Sequence, residues 1–472
     1  MTVHSGAPEF SIITAASGLR AGAVSVPDLV EQSLAQADAI ADLAAFTEIY
    51  ADHAKALAHA HQALIANGCD LGPLHGIPVA VKANVAVAGK RMTAGSKLLA
   101  DRIADTDADA TQALKRQGAI IIGATNMHEF AWGGTTANPH FGQCRNPWDR
   151  NRIPAGSSGG SGAAVAARAV FAALGTDTGG SIRLPASMNG LTGLRPGVGR
   201  LSTGGIFPLA WSMDTVGPIA PSAADCAIVH AALCGESVPA GFAAAGRPAS
   251  LSGKRIAVPT PYAFAALQTD VETTFRDALR QFEALGAVVD PVSLADLDIA
   301  VDAQVIVDAA EPSAIHADWV RTRPEDYGDD VRILLEAGLA FTAEEYIQAQ
   351  RYRTLLRRQF ERIFIDHDLV LTPTLPFTAP LIGQATVMLG GREESTLTGN
   401  MRFTCLASLA ALPAASFPIG FDTAGLPVGG QLIGPHDSEM AILAVVHAFQ
   451  GASDHHLRRP SAGQSLTSAT TG

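Results

Sequence analysis

The spacing of apolar residues in the first part of the chain predicts helices. From about Ile12 to Ala66, Leu29, Ser33 and Leu34 fall at helical spacing, and alanine and glutamine dominate the segment. Gly68 then ends the pattern, as glycine commonly does after the last turn of a helix. The sequence therefore predicts a helical N-terminal segment.

From Leu74 onward the pattern changes to short apolar runs separated by glycine. The runs Ile77–Val81 and Ile120–Ile122 predict buried strands. Between them, Thr111–Gln117 predicts a helix that Gly118 closes in the C-terminal capping position. The order strand, helix, strand is typical of an α/β layer with parallel pairing.

The C-terminal half repeats this alternation after an Ala-, Gly-, Pro- and Ser-rich stretch, Glu236–Gly253, which is interpreted as a linker or a surface excursion. Beyond it the sequence predicts strands at 255–258, 287–292, 368–372 and 414–418, and helices at 271–285, 329–337 and 343–363.

Composition narrows the class of protein. The chain has 472 residues, 47% of them hydrophobic, and a net charge of −12, which disfavours nucleic acid and anionic lipid as partners. Its five cysteines form no CxxC pair, so neither a disulfide framework nor a zinc site is expected. The start, MTVHSGAPEF, does not resemble a signal peptide, and the apolar window Ala163–Leu174 is too short to span a bilayer. A cytoplasmic protein without a metal, cofactor or membrane partner is expected.

Three segments carry the candidate chemistry. GPLHGIPVAVKAN at Gly72–Asn84 places Lys82 at the end of a strand, AGSSGGSG at Ala155–Gly162 precedes an Ala-rich helix, and LGTDTGGSIR at Leu174–Arg183 joins a strand to a helix that opens near Ser181. Each segment alone has an ordinary structural explanation, as a strand end, a flexible loop or a helix N-cap. Taken together they predict a site for nucleophilic catalysis.

The third segment can stabilise an oxyanion. Gly179 and Gly180 lack a Cβ, so the backbone N–H groups from Thr178 to Ser181 can converge at a helix N-terminus, where anions are favoured. Losing one such donor commonly costs about 3 kcal/mol of transition-state stabilisation. Ser181, at the edge of this cluster, is placed to attack a carbonyl.

A serine nucleophile needs a base, and Lys82 is the titratable residue in these segments suited to the task. An exposed lysine is protonated at neutral pH, but burial behind an apolar strand lowers a lysine pKa by up to about 3–5 units. Ser157 can connect the two groups, because a hydroxyl both donates and accepts and so relays a proton from Ser181 to Lys82.

These segments resemble the amidase signature family, whose pattern runs G-x-P-x-x-V-K-D, then G-G-S-S-G-G-S, then G-x-D-x-G-G-S-I-R-x-P. The spacings between the motifs also fit the family. The likeness continues in four further segments: Gly193–Pro196, Ser212–Gly217, Leu371–Pro373 and Gly425–Gly434. The chain departs from the pattern at Ala83, where the family usually has Asp, and at Ala155, where it has Gly.

The resemblance implies a role for each matching residue. Ser181 would be the nucleophile, Ser157 a bridging serine after a cis peptide bond, and Lys82 a base that later protonates the leaving amine. Thr178, Gly179, Gly180 and Ser181 would form the oxyanion hole.

Further positions match the family around this site. Asp177 and Arg183 would brace it, although an ordinary structural ion pair explains them equally well. Ala131 and Trp132 would border the acyl pocket, although a lone tryptophan of this kind is more often part of the core.

The resemblance also implies an α/β fold with a twisted mixed sheet covered on both sides by helices. One domain is expected over 1–472, with N-terminal helices at 1–68, a signature core at 72–235, a C-terminal part at 254–460 and a frayed tail at 461–472. The implied activity is hydrolysis of a small amide-like substrate: an amide, anilide, hydrazide, carbamate or urea. Homodimers are common among relatives.

Other functions fit less well. GSSGG at Gly156–Gly160 matches the nucleophile elbow with Ser158 as nucleophile, but no strand is predicted directly before it. Nucleotide-binding glycine motifs are absent from the sequence. Within the family, the alternative is the glutaminase subunit of a tRNA-dependent amidotransferase. Ala83 and the segment Glu129–Asn138 favour a stand-alone amidase over that alternative.

Overall fold

A computed structural model describes residues 10–242 and 250–460. The strands are β1 Phe46–Ile49, β2 Pro78–Lys82, β3 Ile120–Thr125, β4 Ala137–Asn138, β5 Gly142–Gln143, β6 Ala172–Asp177, β7 Thr192–Arg195, β8 Thr215–Ala220, β9 Arg255–Pro259, β10 Val288–Val292, β11 Leu369–Pro373, β12 Thr386–Leu389, β13 Arg392–Ser395, β14 Ala414–Phe421 and β15 Pro427–Ile433. The helices are α1 Ile12–Arg20, α2 Val26–Ala39, α3 Ala51–Ala66, α4 Asp109–Arg116, α5 Gly159–Ala166, α6 Arg183–Asn189, α7 Ala223–Cys234, α8 Thr269–Ala284, α9 Ala300–Thr322, α10 Asp329–Gly338, α11 Ala343–Asp366, α12 Thr396–Gly399, α13 Thr404–Leu409 and α14 Glu439–Gly451.

The strands build one large mixed sheet. Within the described residues it has 11 strands, in the order β1-β3-β2-β6-β8-β7-β14-β15-β11-β9-β10. Strand β2 pairs in parallel with β3 and β6, and β9 pairs in parallel with β10 and β11. The other neighbours in the sheet are antiparallel. The predicted α/β class with a mixed sheet between helices is confirmed.

Burial explains which segments became central strands. Every residue of β2, β3, β6 and β8 is buried, as expected for strands that helices cover on both faces. Helix α8 shows the matching amphipathic pattern, since its buried residues Val271, Phe275, Ala278 and Phe282 lie three or four positions apart.

The N-terminal segment differs from its prediction in one element. Three helices form between Ile12 and Ala66, but β1 interrupts them and pairs antiparallel with β3 at the edge of the sheet. The β-favouring residues Phe46, Thr47 and Ile49 explain this strand, which the surrounding alanine-rich sequence obscures.

Two other predictions moved by a few residues. The strand expected to lead into the third segment at Leu174 runs from Ala172 to Asp177, and the helix expected to open near Ser181 begins at Arg183. Residues 243–249 of the predicted linker and the tail 461–472 lie outside the described residues. The division into a signature core and a C-terminal part stays a prediction.

The topology gives the site its location. Strands β2 and β6 are parallel neighbours, so their carboxyl ends meet at the same edge of the sheet. Lys82 is the last residue of β2 and Asp177 the last of β6. The segment that carries Lys82 and the segment that carries Ser181 therefore converge at that edge.

Replacing Phe282 with alanine tests the packing of α8 on the sheet. Phe282 is fully buried, and its ring lies 4.9 Å from that of Phe449 and 6.3 Å from that of Phe417, measured between centroids. We expect Phe282→Ala to lower the free energy of unfolding by about 3–5 kcal/mol in denaturant titrations. Ile365→Ala, at a side chain that is 77% exposed, is the control and should leave the unfolding midpoint nearly unchanged.

Candidate active site

Lys82 lies at the centre of the site. Its side chain is fully buried, and its Nζ hydrogen bonds to Oγ of Ser157 at 2.7 Å and to Oγ1 of Thr176 at 2.8 Å. Burial lowers the pKa of Lys82 to about 7, although the negative charges of Asp214 and Asp177 act in the opposite direction. A neutral amine is therefore accessible to this lysine near neutral pH.

Ser157 follows a cis peptide bond between Gly156 and Ser157. Its carbonyl accepts a hydrogen bond from the backbone N–H of His128 at 3.1 Å, which joins the serine to the neighbouring loop. A Cβ on Gly156 would lie 2.6 Å from the carbonyl oxygen of Gly133, so this position requires glycine. Ala155 has a φ of 62°, a left-handed conformation that favours glycine, which is the residue the family pattern has here.

The loop Thr178–Ser181 presents its backbone N–H groups without partners. In the described part of the chain, no group accepts a hydrogen bond from any of these four N–H groups. Gly180 has a φ of 137°, and a Cβ there would lie 2.6 Å from Oγ1 of Thr404. The same Thr404 hydroxyl donates to the carbonyl of Gly179 at 2.6 Å, which fixes the orientation of that peptide. The loop can therefore donate to an anionic oxygen.

Ser181 stands beside this loop with its hydroxyl unbound. Its side chain is buried apart from 9% of its surface, and the hydroxyl has no hydrogen-bond partner among residues 10–242 and 250–460. Its carbonyl accepts from the N–H of Ser158 at 3.3 Å, so the segments that carry Ser157 and Ser181 are in contact. The structure thus joins Lys82 to Ser157 directly, whereas the expected bond between the two serine hydroxyls is not formed.

Asp177, which directly precedes the loop, forms ion pairs with Arg183 and Arg195. All three side chains are fully buried, and Oδ1 of Asp177 lies 2.9 Å from both Arg183 Nη2 and Arg195 Nη1. The two guanidinium groups outweigh the effect of burial and hold the pKa of Asp177 well below its usual range. Oδ2 of Asp177 also accepts from the N–H of Ile182 at 3.2 Å, which ties it to the residue after Ser181.

A second buried carboxylate, Asp214, holds the other end of the loop. Its Oδ1 accepts from the hydroxyl of Thr178 at 2.5 Å, and its Oδ2 from the N–H of Leu209 at 2.9 Å. Burial raises the pKa of Asp214 above its usual value. Thr178 is therefore fixed by its side chain, which leaves its backbone N–H available.

Ala131 and Trp132 differ in where they lie. Ala131, with a φ of 63°, helps to line a small cavity that reaches the surroundings of Lys82. The other residues that line it include Asn84, Thr176, Phe207, Trp211 and Asp214. Trp132 is half-buried against the core and does not line this cavity.

Sequence reasoning missed three residues that complete the site: Thr176, Arg195 and Asp214. Thr176 lies in the segment LGTDTGGSIR, Asp214 in Ser212–Gly217 and Arg195 in Gly193–Pro196. All three residues lie in segments that resemble the family. Only the fold shows that Thr176 contacts Lys82, that Arg195 contacts Asp177 and that Asp214 contacts Thr178.

The nucleophile-elbow alternative finds no support in the geometry. Residues 144–158, all of them described, contain no strand, so Ser158 does not follow one. The hydroxyl of Ser158 is buried and donates to the carbonyl of Thr176 at 3.2 Å. Ser158 therefore has a structural role in connecting α5 to β6.

The described ranges contain neither a metal-binding cluster nor a membrane-spanning helix. Within them, there is no group of three or more His, Cys, Asp or Glu side chains that could hold a metal ion. None of the helices found in those ranges has the length and apolar character needed to cross a bilayer.

Fold and site together define an α/β protein with a buried lysine, a serine pair and a backbone donor loop at one sheet edge. A family model described as amidase matches residues 28–443. The chain belongs to the amidase signature family, whose members are hydrolases of carbon–nitrogen bonds.

Three similar proteins illustrate the range within the family. A glutamyl-tRNA(Gln) amidotransferase subunit from Ralstonia nicotianae is 37% identical over 95% of this chain and 99% of its own length. A crystal structure named as an amidase is 32% identical, with a TM-score of 0.88 over 94% of this chain and 99% of its own. A structure described as a vestigial protein complex that reveals the origins of an s-triazine catabolic enzyme is 33% identical, with a TM-score of 0.89 over 96% of this chain and 100% of its own.

Replacing Asp177 with asparagine tests the buried brace. The change leaves Arg183 and Arg195 without their carboxylate, and breaking a buried ion pair on one side typically costs about 3–5 kcal/mol. We expect Asp177→Asn to lower the free energy of unfolding by that amount at pH 7, measured by denaturant titration.

The pH dependence provides an internal control for this variant. Because the pKa of Asp177 is lowered from 3.8 in the folded state, its stabilising effect is present above about pH 4 and is lost as the pH falls further. Asp177→Asn should therefore lose less stability on acidification than the parent chain. The exposed variant Asp52→Asn should behave like the parent, and equal acid sensitivity of all three chains would contradict the assignment.

Proposed function

We propose that this chain hydrolyses the C–N bond of an amide-like substrate through an acyl-enzyme on Ser181. Neutral Lys82 takes the proton of Ser157 as Ser157 takes that of Ser181, and Oγ of Ser181 attacks the carbonyl carbon. The tetrahedral oxyanion then accepts hydrogen bonds from the backbone of residues 178–181. Its collapse breaks the C–N bond, and the proton held by Lys82 returns through Ser157 to the leaving amine.

Water completes the reaction by the same relay. It attacks the ester carbonyl and gives one proton through Ser157 to Lys82, and the second tetrahedral intermediate releases the acid and restores the Ser181 hydroxyl. In each half-reaction the bond formed at the carbonyl carbon is matched by one broken there, and no cofactor takes part.

The observation that carries this proposal is the buried amine. Nζ of Lys82 lies 2.7 Å from Oγ of Ser157, and burial brings the pKa of Lys82 to about 7. A base with a pKa near the working pH is close to optimal for proton transfer. The unpartnered N–H groups of the loop add electrostatic stabilisation, at about 3 kcal/mol for a typical single donor.

The free hydroxyl of Ser181 is compatible with this mechanism. Hydrogen bonds between catalytic groups are often long or absent without substrate and form in the Michaelis complex. The mechanism requires that the hydroxyls of Ser181 and Ser157 form this hydrogen bond when substrate binds.

A second candidate function has specific support among the relatives. The chain covers 99% of the length of the Ralstonia nicotianae amidotransferase protein, with 37% identity. On that basis the substrate amide would be glutamine, and the chain would act as the glutaminase component of a complex that amidates charged tRNA. The curated relatives support this second candidate more directly than the first, whereas the structure named as an amidase, with a TM-score of 0.88, supports amide hydrolysis in either role.

The remaining features of the function are also proposals. We propose a small-molecule substrate and a cytoplasmic location, in keeping with the acidic chain, and a homodimer by analogy with the family. Ala131 and Trp132 are proposed to contact the acyl group.

The pH dependence of fluorophosphonate labelling tests the mechanism. We expect Ser181 to be labelled at a rate that rises through pH 7, because protonated Lys82 cannot accept a proton. The rate at pH 6 should be about tenfold below the plateau above pH 8. Mass spectrometry of the labelled peptide identifies the serine.

Three variants serve as controls for the labelling. Lys82→Ala and Ser157→Ala should each abolish labelling at Ser181. Thr176→Val should shift the rise to lower pH, because the Thr176 oxygen stabilises the charged form of Lys82. Labelling of another serine, or a rate independent of pH between 6 and 8, would refute the mechanism.

A substrate panel separates the two candidate functions. If the chain is a stand-alone amidase, the purified chain should hydrolyse simple amides, anilides or carbamates at rates at least tenfold above those with glutamine. Hydrolysis of glutamine alone, and only with a co-purified partner, would instead identify the glutaminase component. The Ser181→Ala variant is the blank in both assays.

A further inference from the structure

Two buried polar side chains on α9 have hydrogen-bonding atoms without partners. Gln304 and Asp308 are one helical turn apart, and Nε2 of Gln304 donates to Oδ2 of Asp308 at 2.7 Å. Oδ1 of Asp308 and Oε1 of Gln304 have no hydrogen-bond partner in the described chain. Gln304 is fully buried and Asp308 is 6% exposed, so these acceptors are also shielded from bulk water. Buried acceptors of this kind are rare and need an explanation.

The pair lies directly against the proposed oxyanion loop. A Cβ built on Gly179 would lie 3.3 Å from Oδ2 of Asp308, 3.4 Å from Nε2 of Gln304 and 3.4 Å from Sδ of Met401. Gly179 is two residues from Ser181. A substrate whose carbonyl binds at the loop would therefore place its nearest atoms beside Asp308 and Gln304.

A third side chain without partners lies in the same region. Both Oδ1 and Nδ2 of Asn400 are buried and have no partner in the described residues. Asn400 precedes Met401 and packs against Gly134, since a Cβ on that glycine would lie 2.8 Å from Nδ2 of Asn400. Asn400 thus adds two unpartnered polar atoms next to Met401, whose sulfur lies on the same side of Gly179 as Asp308 and Gln304.

The charge around Asp308 is not balanced by a cation. Within the described residues Asp308 forms no salt bridge, and the neighbouring carboxylates Asp214 and Glu311 add further negative charge. The positive charge of Arg195 lowers the pKa of Asp308, but Arg195 is already paired with Asp177. Burial without a cationic partner in the described residues raises the pKa of Asp308 to about 7.

We propose that Asp308 and Gln304 form a recognition subsite for a substrate that carries an ammonium group within a few bonds of the scissile carbonyl. The two free acceptor oxygens can receive two N–H bonds from one such group, and its positive charge would balance the carboxylate. The subsite rests on the proposed function, because it supposes that the carbonyl binds at residues 178–181.

Competition against fluorophosphonate labelling of Ser181 tests the subsite. Glycinamide carries the ammonium on the acyl side, and propanamide replaces that group with a methyl group of similar size. N-(2-aminoethyl)acetamide and N-propylacetamide make the same comparison on the leaving-group side. We expect at least one ammonium-bearing compound to protect Ser181 at a concentration at least tenfold lower than its neutral counterpart.

The variant Asp308→Asn should remove this preference, so that each pair protects within about threefold of one another. Asp302→Asn, an equal charge change at an exposed position of the same helix, should retain it. Each ammonium compound is compared with its neutral counterpart within one variant, so a change in the labelling rate of Asp308→Asn without competitor does not enter the ratio. Asp302→Asn should keep the parent's labelling rate, and circular dichroism checks that both variants are folded.

The parent chain alone can overturn the proposal. If neither ammonium compound protects better than its neutral counterpart, the subsite is wrong whether or not the variants fold. Thermal-shift titrations with the same four compounds provide a readout that does not depend on Ser181. Failure to label Ser181 would reject the proposed function, whereas labelling of Ser181 without ammonium preference would reject the subsite only.

Discussion

The arrangement of the site depends on one constraint: an amine must stay buried and close to neutral. Lys82 is fully buried at the end of β2, and burial is the largest influence on its pKa. Nearby carboxylates would raise that pKa and keep the amine charged. Asp177, the carboxylate that ends the neighbouring strand, is paired with Arg183 and Arg195. These two positive charges weaken the effect of the Asp177 charge on the pKa of Lys82. The ion-pair cluster therefore supports the loop and also limits the field at the lysine.

The parallel pairing of β2 with β6 makes this possible. It brings Thr176 within 2.8 Å of Nζ of Lys82 and places the loop that carries Ser181 directly after Asp177. The loop is then held at both ends by side chains, with Asp214 on the hydroxyl of Thr178 and Asp177 on the N–H of Ile182. Anchoring at both ends fixes the backbone of the intervening residues, as electrostatic preorganisation requires.

The sequence was sufficient for the parts of the site that lie within short motifs. Lys82, Ser157 and Ser181 could be proposed together because each falls in a distinctive segment, and the alternation of apolar runs with helices predicted the α/β class. Contacts between distant segments could not be read in this way. The contact of Asp214 with Thr178 depends on β8, the antiparallel partner of β6, and that of Arg195 with Asp177 depends on β7, which pairs with β8. Strand β1 depends on an edge that only the folded sheet provides.

The same limit applies to Gln304 and Asp308, which no motif marks and which reach the loop only because α9 packs beside it. Their chemistry bears on the two candidate functions. Free glutamine carries an ammonium group, which Asp308 could bind, but it also carries a carboxylate that needs a cation. Two arginines that lie beside the loop, Arg183 and Arg195, already bind Asp177. A substrate with an ammonium group and no carboxylate would balance Asp308 without a further cation, whereas glutamine would need one for its carboxylate.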